Sequence, residues 1–179
     1  MTIIVETVDL KPIHAQGFFI VSRNGLITQI VRFDYYDPKA YYKQLYHKPQ
    51  EYEREIEKLY SNMQQALDEE RVYINGERVY PKVQLVNIEH NGFEDNPYIT
   101  FIINFKGKFR KGINVYENYY EDTVAEYDYE VYWVFPQRFE IVEVVSSSDY
   151  DVVDGRIVYL WSRRGDRIKG YERIVFKIK

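Results

Sequence analysis

Alternation of apolar and polar residues at every second position, cut by Asn-Gly and Asp-Gly pairs, restricts this chain more than any other feature. Successive side chains of a strand point to opposite faces, so a period of two describes a half-buried strand. Between residues 98 and 105, Ile99, Phe101, Ile103 and Phe105 share one face. Between 126 and 135, Tyr127, Tyr129, Val131, Trp133 and Phe135 do the same. Ile157, Tyr159 and Trp161 form a third inward set, and Ile174, Phe176 and Ile178 a fourth. Asn24-Gly25, Asn75-Gly76 and Asp154-Gly155 each separate two strand-forming runs. A two-residue hairpin needs φ > 0 at both central residues, which Asn, Asp and Gly tolerate. The pattern predicts a mostly antiparallel chain.

One helical block interrupts it. Asp37-Pro38 offers an acidic N-cap and a proline at the first helical position, and Lys48-Pro49 ends that short helix. From residue 50 to 69, Tyr52, Ile56, Leu59, Met63, Ala66 and Leu67 recur at steps of three and four. They form the buried stripe of an amphipathic helix whose other side carries Glu53, Glu57, Gln64 and Asp68. The reading is a mainly β fold, α+β at its margin: an antiparallel β-sandwich of about nine or ten strands with one inserted helical hairpin. Residues 1–70 form a β-hairpin plus helical-hairpin subdomain and 71–179 the sandwich, joined in one compact fold.

Composition excludes several chemistries. The 179 residues contain no cysteine, so disulfides, zinc–thiolate sites, iron–sulfur clusters and cysteine nucleophiles are ruled out. A cysteine-free chain fits a reducing cytosol or a heat-adapted source. Met1-Thr2-Ile3-Ile4-Val5-Glu6 has no basic n-region and ends its apolar stretch with an acid, which reads as cytoplasmic rather than secreted. The longest uncharged run, residues 12–22, is far below the roughly 20 apolar residues of a membrane span. A formal charge of −4 argues against a nucleic-acid partner, whose phosphates demand a clustered cationic surface.

No catalytic constellation emerges. His14, His47 and His90 lie in different elements, and His90 with Glu94 and Asp95 reads as a turn beside a strand end rather than a metal site. Asp149, Asp151 and Asp154 before Gly155 miss the calcium-loop spacing and suit a hairpin. Arg164-Gly165-Asp166 is turn chemistry within a small basic cluster, and neither a P-loop nor a Rossmann fingerprint is present. Cofactor and metal are both read as none, and the chain as more a binding protein than an enzyme.

A register can be written for the strand at residue 98 and the strand at 126. Placing Lys108 opposite Asp128 aligns Lys106 with Glu130 and Arg110 with Glu126. The same register sets Phe105 against Val131, Ile103 against Trp133 and Phe101 against Phe135. Continued outward, with Gly107 and Gly112 as bulges, this hairpin ends in a protruding tip at residues 116–121. Aromatics make up 17% of the chain, with 19 Tyr, and most fall at inward positions. Tyr116, Asn118, Tyr119 and Tyr120 at the tip do not, and they are the candidate binding residues. Tyrosine offers a rigid contact face with a polar end at low entropic cost. The expected function is a non-catalytic intracellular binding or structural module making protein–protein contacts, or self-associating, through a tyrosine-rich surface. The alternatives are a carbohydrate-binding module with tyrosine stacking platforms, and a carboxylate-dependent hydrolase drawing its acids from residues 117–130.

Overall fold

The computed structural model of the chain describes residues 9–179. The N-terminal segment read above for a secretory signal lies outside them. Among the described residues fourteen strands and two helices follow one another: β1 (Lys11–Val21), β2 (Leu26–Tyr36), α1 (Tyr41–Leu45), α2 (Pro49–Glu69), β3 (Arg71–Ile74), β4 (Glu77–Val79), β5 (Lys82–His90) and β6 (Pro97–Lys106) in the first half. The second half supplies β7 (Gly112–Tyr119), β8 (Thr123–Val124), β9 (Asp128–Val134), β10 (Phe139–Val145), β11 (Asp149–Val153), β12 (Ile157–Ser162), β13 (Arg167–Ile168) and β14 (Tyr171–Ile178). The fold is mainly β with a helical insert, as the alternation required. The strand count exceeds expectation because short elements such as β8 and β13 carry too little sequence to show a period.

A seven-stranded sheet runs β11-β12-β9-β1-β2-β6-β5, a five-stranded sheet runs β10-β14-β7-β3-β4, and β13 pairs with β8. Every pairing is antiparallel except that of β1 with β9, which is parallel. The expected pairing of β6 with β9 does not exist. Instead β6 lies between β2 and β5, with Phe105 opposite Ile27 and Phe101 opposite Val31. Lys108 reaches Glu77 at 3.0 Å, and Asp128 meets Arg163 at 3.1 Å. The physical reason is that both strands turn the same kind of apolar face to one core. Any two such strands match on paper, and exposed charge pairs worth about 0.2–1 kcal/mol do not select the partner. Gly107 lies beyond β6 and Gly112 opens β7, while the register shifts fall at residues 12–14, 83–85 and 141–143.

Two of the three hairpin turns have the expected form. Asn75 and Gly76 adopt φ of 53° and 80°, and Asp154 and Gly155 adopt 54° and 63°. At the first turn only Gly25, at 87°, is left-handed, and Gly25 N–H donates to Ser22 O at 3.1 Å. The loop is therefore four residues long, a turn followed by glycine, rather than a two-residue turn. The helical block begins at Tyr41, later than Pro38, with Ala40 rather than Asp37 at its N-cap, although the Tyr42 N–H donates to Asp37 Oδ2 at 3.0 Å. Leu59, Met63 and Leu67 of α2 are buried as their spacing required, and so is Glu55, which accepts a hydrogen bond from Tyr42 Oη at 3.1 Å. No helix among the described residues is long and apolar enough to cross a membrane.

Helices and small sheet cover the same face of the large sheet. Ile99, Phe101 and Ile103 of β6 pack with Tyr42, Leu59 and Met63, while Phe105 joins the cluster of the five-stranded sheet. Trp133, wholly buried, stacks on Phe19 at 4.0 Å and meets Tyr116 of the opposite sheet at 4.5 Å. Each fully buried ring of this kind contributes about 1.5–3 kcal/mol. One expected inward set is reversed: Val158, Leu160 and Ser162 face the core, while Ile157, Tyr159 and Trp161 face outward. β12 is apolar on both faces, so its pattern permits either orientation. Pairing of Val158 with Trp133 and Leu160 with Val131 decides it.

Two glycines separate backbone strain from crowding. A Cβ on Gly25 would lie 2.0 Å from the Gly107 carbonyl oxygen, whereas one on Gly155 would meet nothing within 4 Å. Both have positive φ. Gly155→Ala should cost about 1 kcal/mol of strain alone, and Gly25→Ala about 3 kcal/mol or more in urea unfolding. Equal losses would refute the close approach of Gly25 to Gly107.

Candidate functional site

The four candidate residues do not form a protruding tip. Strand β7 is interior, hydrogen-bonded to β14 on one side and β3 on the other, so alternation divides its residues between the two faces of the small sheet. Tyr119 faces outward, its ring 4.9 Å from that of Tyr171, with Arg71 stacked over it at 5.3 Å. Tyr116, Asn118 and Tyr120 face inward, and Tyr116 is only 3% exposed. An exposed tyrosine platform at residues 116–121 is thereby corrected: the stretch was given a free end because its true partners, β3 and β14, are distant in sequence.

The inward residues meet at a cavity. Toward one end the core is solid with rings, but the inner faces of β7 and β14 continue as Tyr116-x-Asn118-x-Tyr120 and, read backward from Phe176, Ile174-x-Glu172. Asn118 and Glu172 are register partners. Glu70 enters from the end of α2, directly before β3. The space is about 230 Å³, open on one side and lined by Glu70, Glu172, Tyr116, Asn118, Tyr120 and Tyr129, with Leu67 of α2 and Phe105 of β6 also in its wall. Gly170 sets the position of Tyr120, whose N–H donates to the Gly170 carbonyl at 2.9 Å.

Two carboxyl groups in one cavity perturb each other. Burial raises Glu172, the neighbouring Glu70 charge raises it further, and the Trp133 indole opposes them, leaving it pushed up to about 7. Burial also raises Glu70, against a hydrogen bond from Asn118 Nδ2 to Glu70 Oε2 at 2.8 Å. Trp133 Nε1 and Asn118 Oδ1 are buried without a well-formed hydrogen bond among the described residues. The Trp133 N–H thus lies close enough to favour the Glu172 carboxylate without good hydrogen-bond geometry. Burial and both glutamates raise the Tyr116 and Tyr120 hydroxyls, so these phenols are neutral donors.

A second feature lies on the far face of the large sheet, which neither the helices nor the small sheet covers. Phe18 stacks on Tyr132 at 4.9 Å and 11°, Tyr132 on Tyr159 at 4.9 Å and 20°, and Tyr159 on Trp161 at 4.9 Å and 29°. All four rings are partly exposed, and Ile20 beside them is 44% exposed. The row crosses β1, β9 and β12 because Phe18, Tyr132 and Tyr159 are register partners. At one end His14 bridges Glu130 at 2.7 Å and Asp34 at 3.3 Å. Sequence reasoning missed this row because it assigned Tyr159 and Trp161 to the core. It missed Glu172 although that residue stands two places before Ile174, on the inward period.

The acids of residues 117–130, expected of a hydrolase, divide between surfaces: Glu121, Asp122 and Glu126 line one groove with Glu69 and Glu70, while Glu117 and Glu130 lie elsewhere. Glu117 accepts from Tyr171 Oη at 2.9 Å on the outer face of the small sheet, and Glu130 engages His14 and Gln16 on the large one. His90 Nδ1 contacts Tyr46 Oη at 3.3 Å, and Asp149 and Asp151 lie along strand β11. Among the described residues, no group of three or more His, Asp or Glu is arranged to hold a metal ion.

No family model matches the chain, and no curated protein is significantly similar to it. Solved structures with some likeness include one described as a candidate protease from Parabacteroides distasonis, with a TM-score of 0.32 and 6% identity over 94% of this chain and 40% of that one. Another is an M1 zinc metallopeptidase from Deinococcus radiodurans, with a TM-score of 0.36 and 10% identity over 93% of this chain and 42% of that one. The chain thus spans about two-fifths of each, and at these values the likeness identifies neither family nor activity.

Glu172 makes stability depend on pH in a known direction. Its native form keeps a proton between about 4.5 and about 7, where the unfolded chain has lost it, so stability falls as pH rises through that window. Glu172→Gln should flatten the slope and raise stability at pH 8 by about 1–2 kcal/mol, allowing for screening by cavity water. Urea midpoints at pH 5 and pH 8 check it, and a variant as pH-dependent as the parent would contradict the assignment.

Proposed function

We propose that the protein is a non-catalytic binding module whose contact surface is the row of Phe18, Tyr132, Tyr159 and Trp161, and that its partner is a protein. The observation that carries this reading is the row itself, four stacked, partly exposed rings on a sheet face that neither the helices nor the small sheet covers. Core alternation needs no aromatics there, and a partly exposed apolar row of this kind marks an interaction surface. Aromatic side chains with locked rotamers lose little entropy when a partner covers them.

Ring orientation separates a protein partner from a sugar. A carbohydrate platform needs open ring faces, against which the sugar's C–H groups lie. Here the faces are turned on one another, and the edges are presented outward. Such a corrugated edge suits aliphatic and aromatic side chains packing against the ring edges. The hydrogen-bonded His14, Asp34 and Glu130 at its end form a polar rim.

A photo-reactive benzoylphenylalanine in place of Tyr159 should cross-link one discrete protein, identifiable by mass spectrometry, while the same group at the exposed Lys58 of α2 should not. With that partner purified, Trp161→Ala should weaken binding by about thirtyfold, the roughly 2 kcal/mol of an anchor residue, and Trp161→Phe should restore most of it. Equal cross-linking at both positions would reject the surface. Retention on polysaccharide, lost in Trp161→Ala, would point to sugar instead.

A further inference from the structure

We propose that the cavity between α2 and the five-stranded sheet is a binding site for a small organic ammonium ion. The proposal is independent of the aromatic row and rests on the chemistry of the cavity walls. Among the described residues, Glu70 and Glu172 are the charged groups lining those walls, with no Lys, Arg or His in the lining; Arg78, outside it, donates to the Glu70 backbone carbonyl at 2.6 Å. Charges removed from water are normally paired. Two carboxylates facing one space with no cation among the described lining residues define a site whose complement is positive.

The hydrogen-bonding groups match an ammonium in number and kind. A primary ammonium has three donors and no acceptor. Glu70, Glu172 and Asn118 Oδ1 supply three acceptors: Asn118 gives its Nδ2 donor to Glu70 and leaves its buried Oδ1 without a partner. Trp133, 0% exposed, holds its unpartnered Nε1–H beside Glu172, where it serves the carboxylate oxygen that the ammonium leaves free. Tyr116 and Tyr120, with Phe105, give the rest of the ligand an aromatic wall suited to an alkyl chain beside a cation.

Size and approach agree. A volume of about 230 Å³ corresponds to about seven waters, room for a chain of about four to six heavy atoms. An adjoining groove shares Glu70 and Tyr120 with the cavity and adds Glu69, Glu121, Asp122 and Glu126. Acids along a groove raise the local concentration of cations at its inner end. An inorganic dication fits less well, because it requires a shell of oxygen ligands where much of this wall is apolar.

Trp133 and Trp161 are the two tryptophans of the chain, so a Trp161→Phe background leaves Trp133 as a reporter beside Glu172. Titration with n-butylammonium chloride at pH 8, followed by Trp133 emission and calorimetry, should saturate. Affinity should fall at least tenfold in Glu172→Gln and in Glu70→Gln, and at least tenfold at pH 5.5, where Glu172 holds its proton. n-Butanol, the neutral analogue, should not compete. The proposal is overturned if the folded protein shows no butylammonium binding up to about 50 mM, or if butanol binds equally well. It is also overturned if Glu172→Gln leaves affinity unchanged, if calcium chloride alone binds in a Glu172-dependent way, or if only a lysine-containing peptide binds.

Discussion

Trp133 fastens the two sheets together, and the remainder of the molecule is arranged around that contact. Its ring lies flat on Phe19 within the large sheet and against Tyr116 of the small one, and Phe135 carries the ring packing on to Phe176 and Phe139. In that direction the core is continuous. In the other direction the same inward positions are occupied by Asn118 and Glu172, and close packing gives way to open volume. Core and cavity are therefore consecutive stretches of the same strands, with the indole nitrogen of Trp133 at their boundary.

Much of this architecture was legible in the sequence, and the parts that were not share one cause. Alternation identified the inner faces of β6, β9 and β14, and spacing identified the stripe of α2. It could not choose between faces in β12, where Val158 and Leu160 alternate with Tyr159 and Trp161 and both sets are apolar. Nor could it name partners, because an inward strand carries no mark of which other inward strand lies beside it. The β6–β9 register was self-consistent on both faces and still absent from the fold. Sequence period reports orientation, and neighbourhood is decided by packing across long separations.

The cavity shows the same limit from the other side. Tyr116, Asn118 and Tyr120 carry no core position in the sequence pattern, yet all three face inward, and Tyr116 belongs to the core itself. Glu172 was overlooked because a lone acid on an apolar period is easily read as a surface residue at a strand end. Glu70 could not have been paired with it from sequence, since it arrives from a helix terminus about a hundred residues earlier, and only the β3-β7-β14 order brings them together. An acid on the inward period of a strand is worth the attention given to an exposed tyrosine.

The parallel pairing of β1 with β9 has a consequence for how the chain reaches this structure. Gln16 and Glu130 are neighbours across that pair and 114 residues apart along the chain. The β1–β2 hairpin can close as soon as it leaves the ribosome, but one edge of β1 stays without its partner until most of the protein has been made. That edge carries Phe18 and Phe19, both of which stack on β9 in the native fold. Contacts of such long range place this chain among slow folders and leave an apolar strand edge open meanwhile. Synthesis itself is thus the interval in which this protein is most exposed to aggregation.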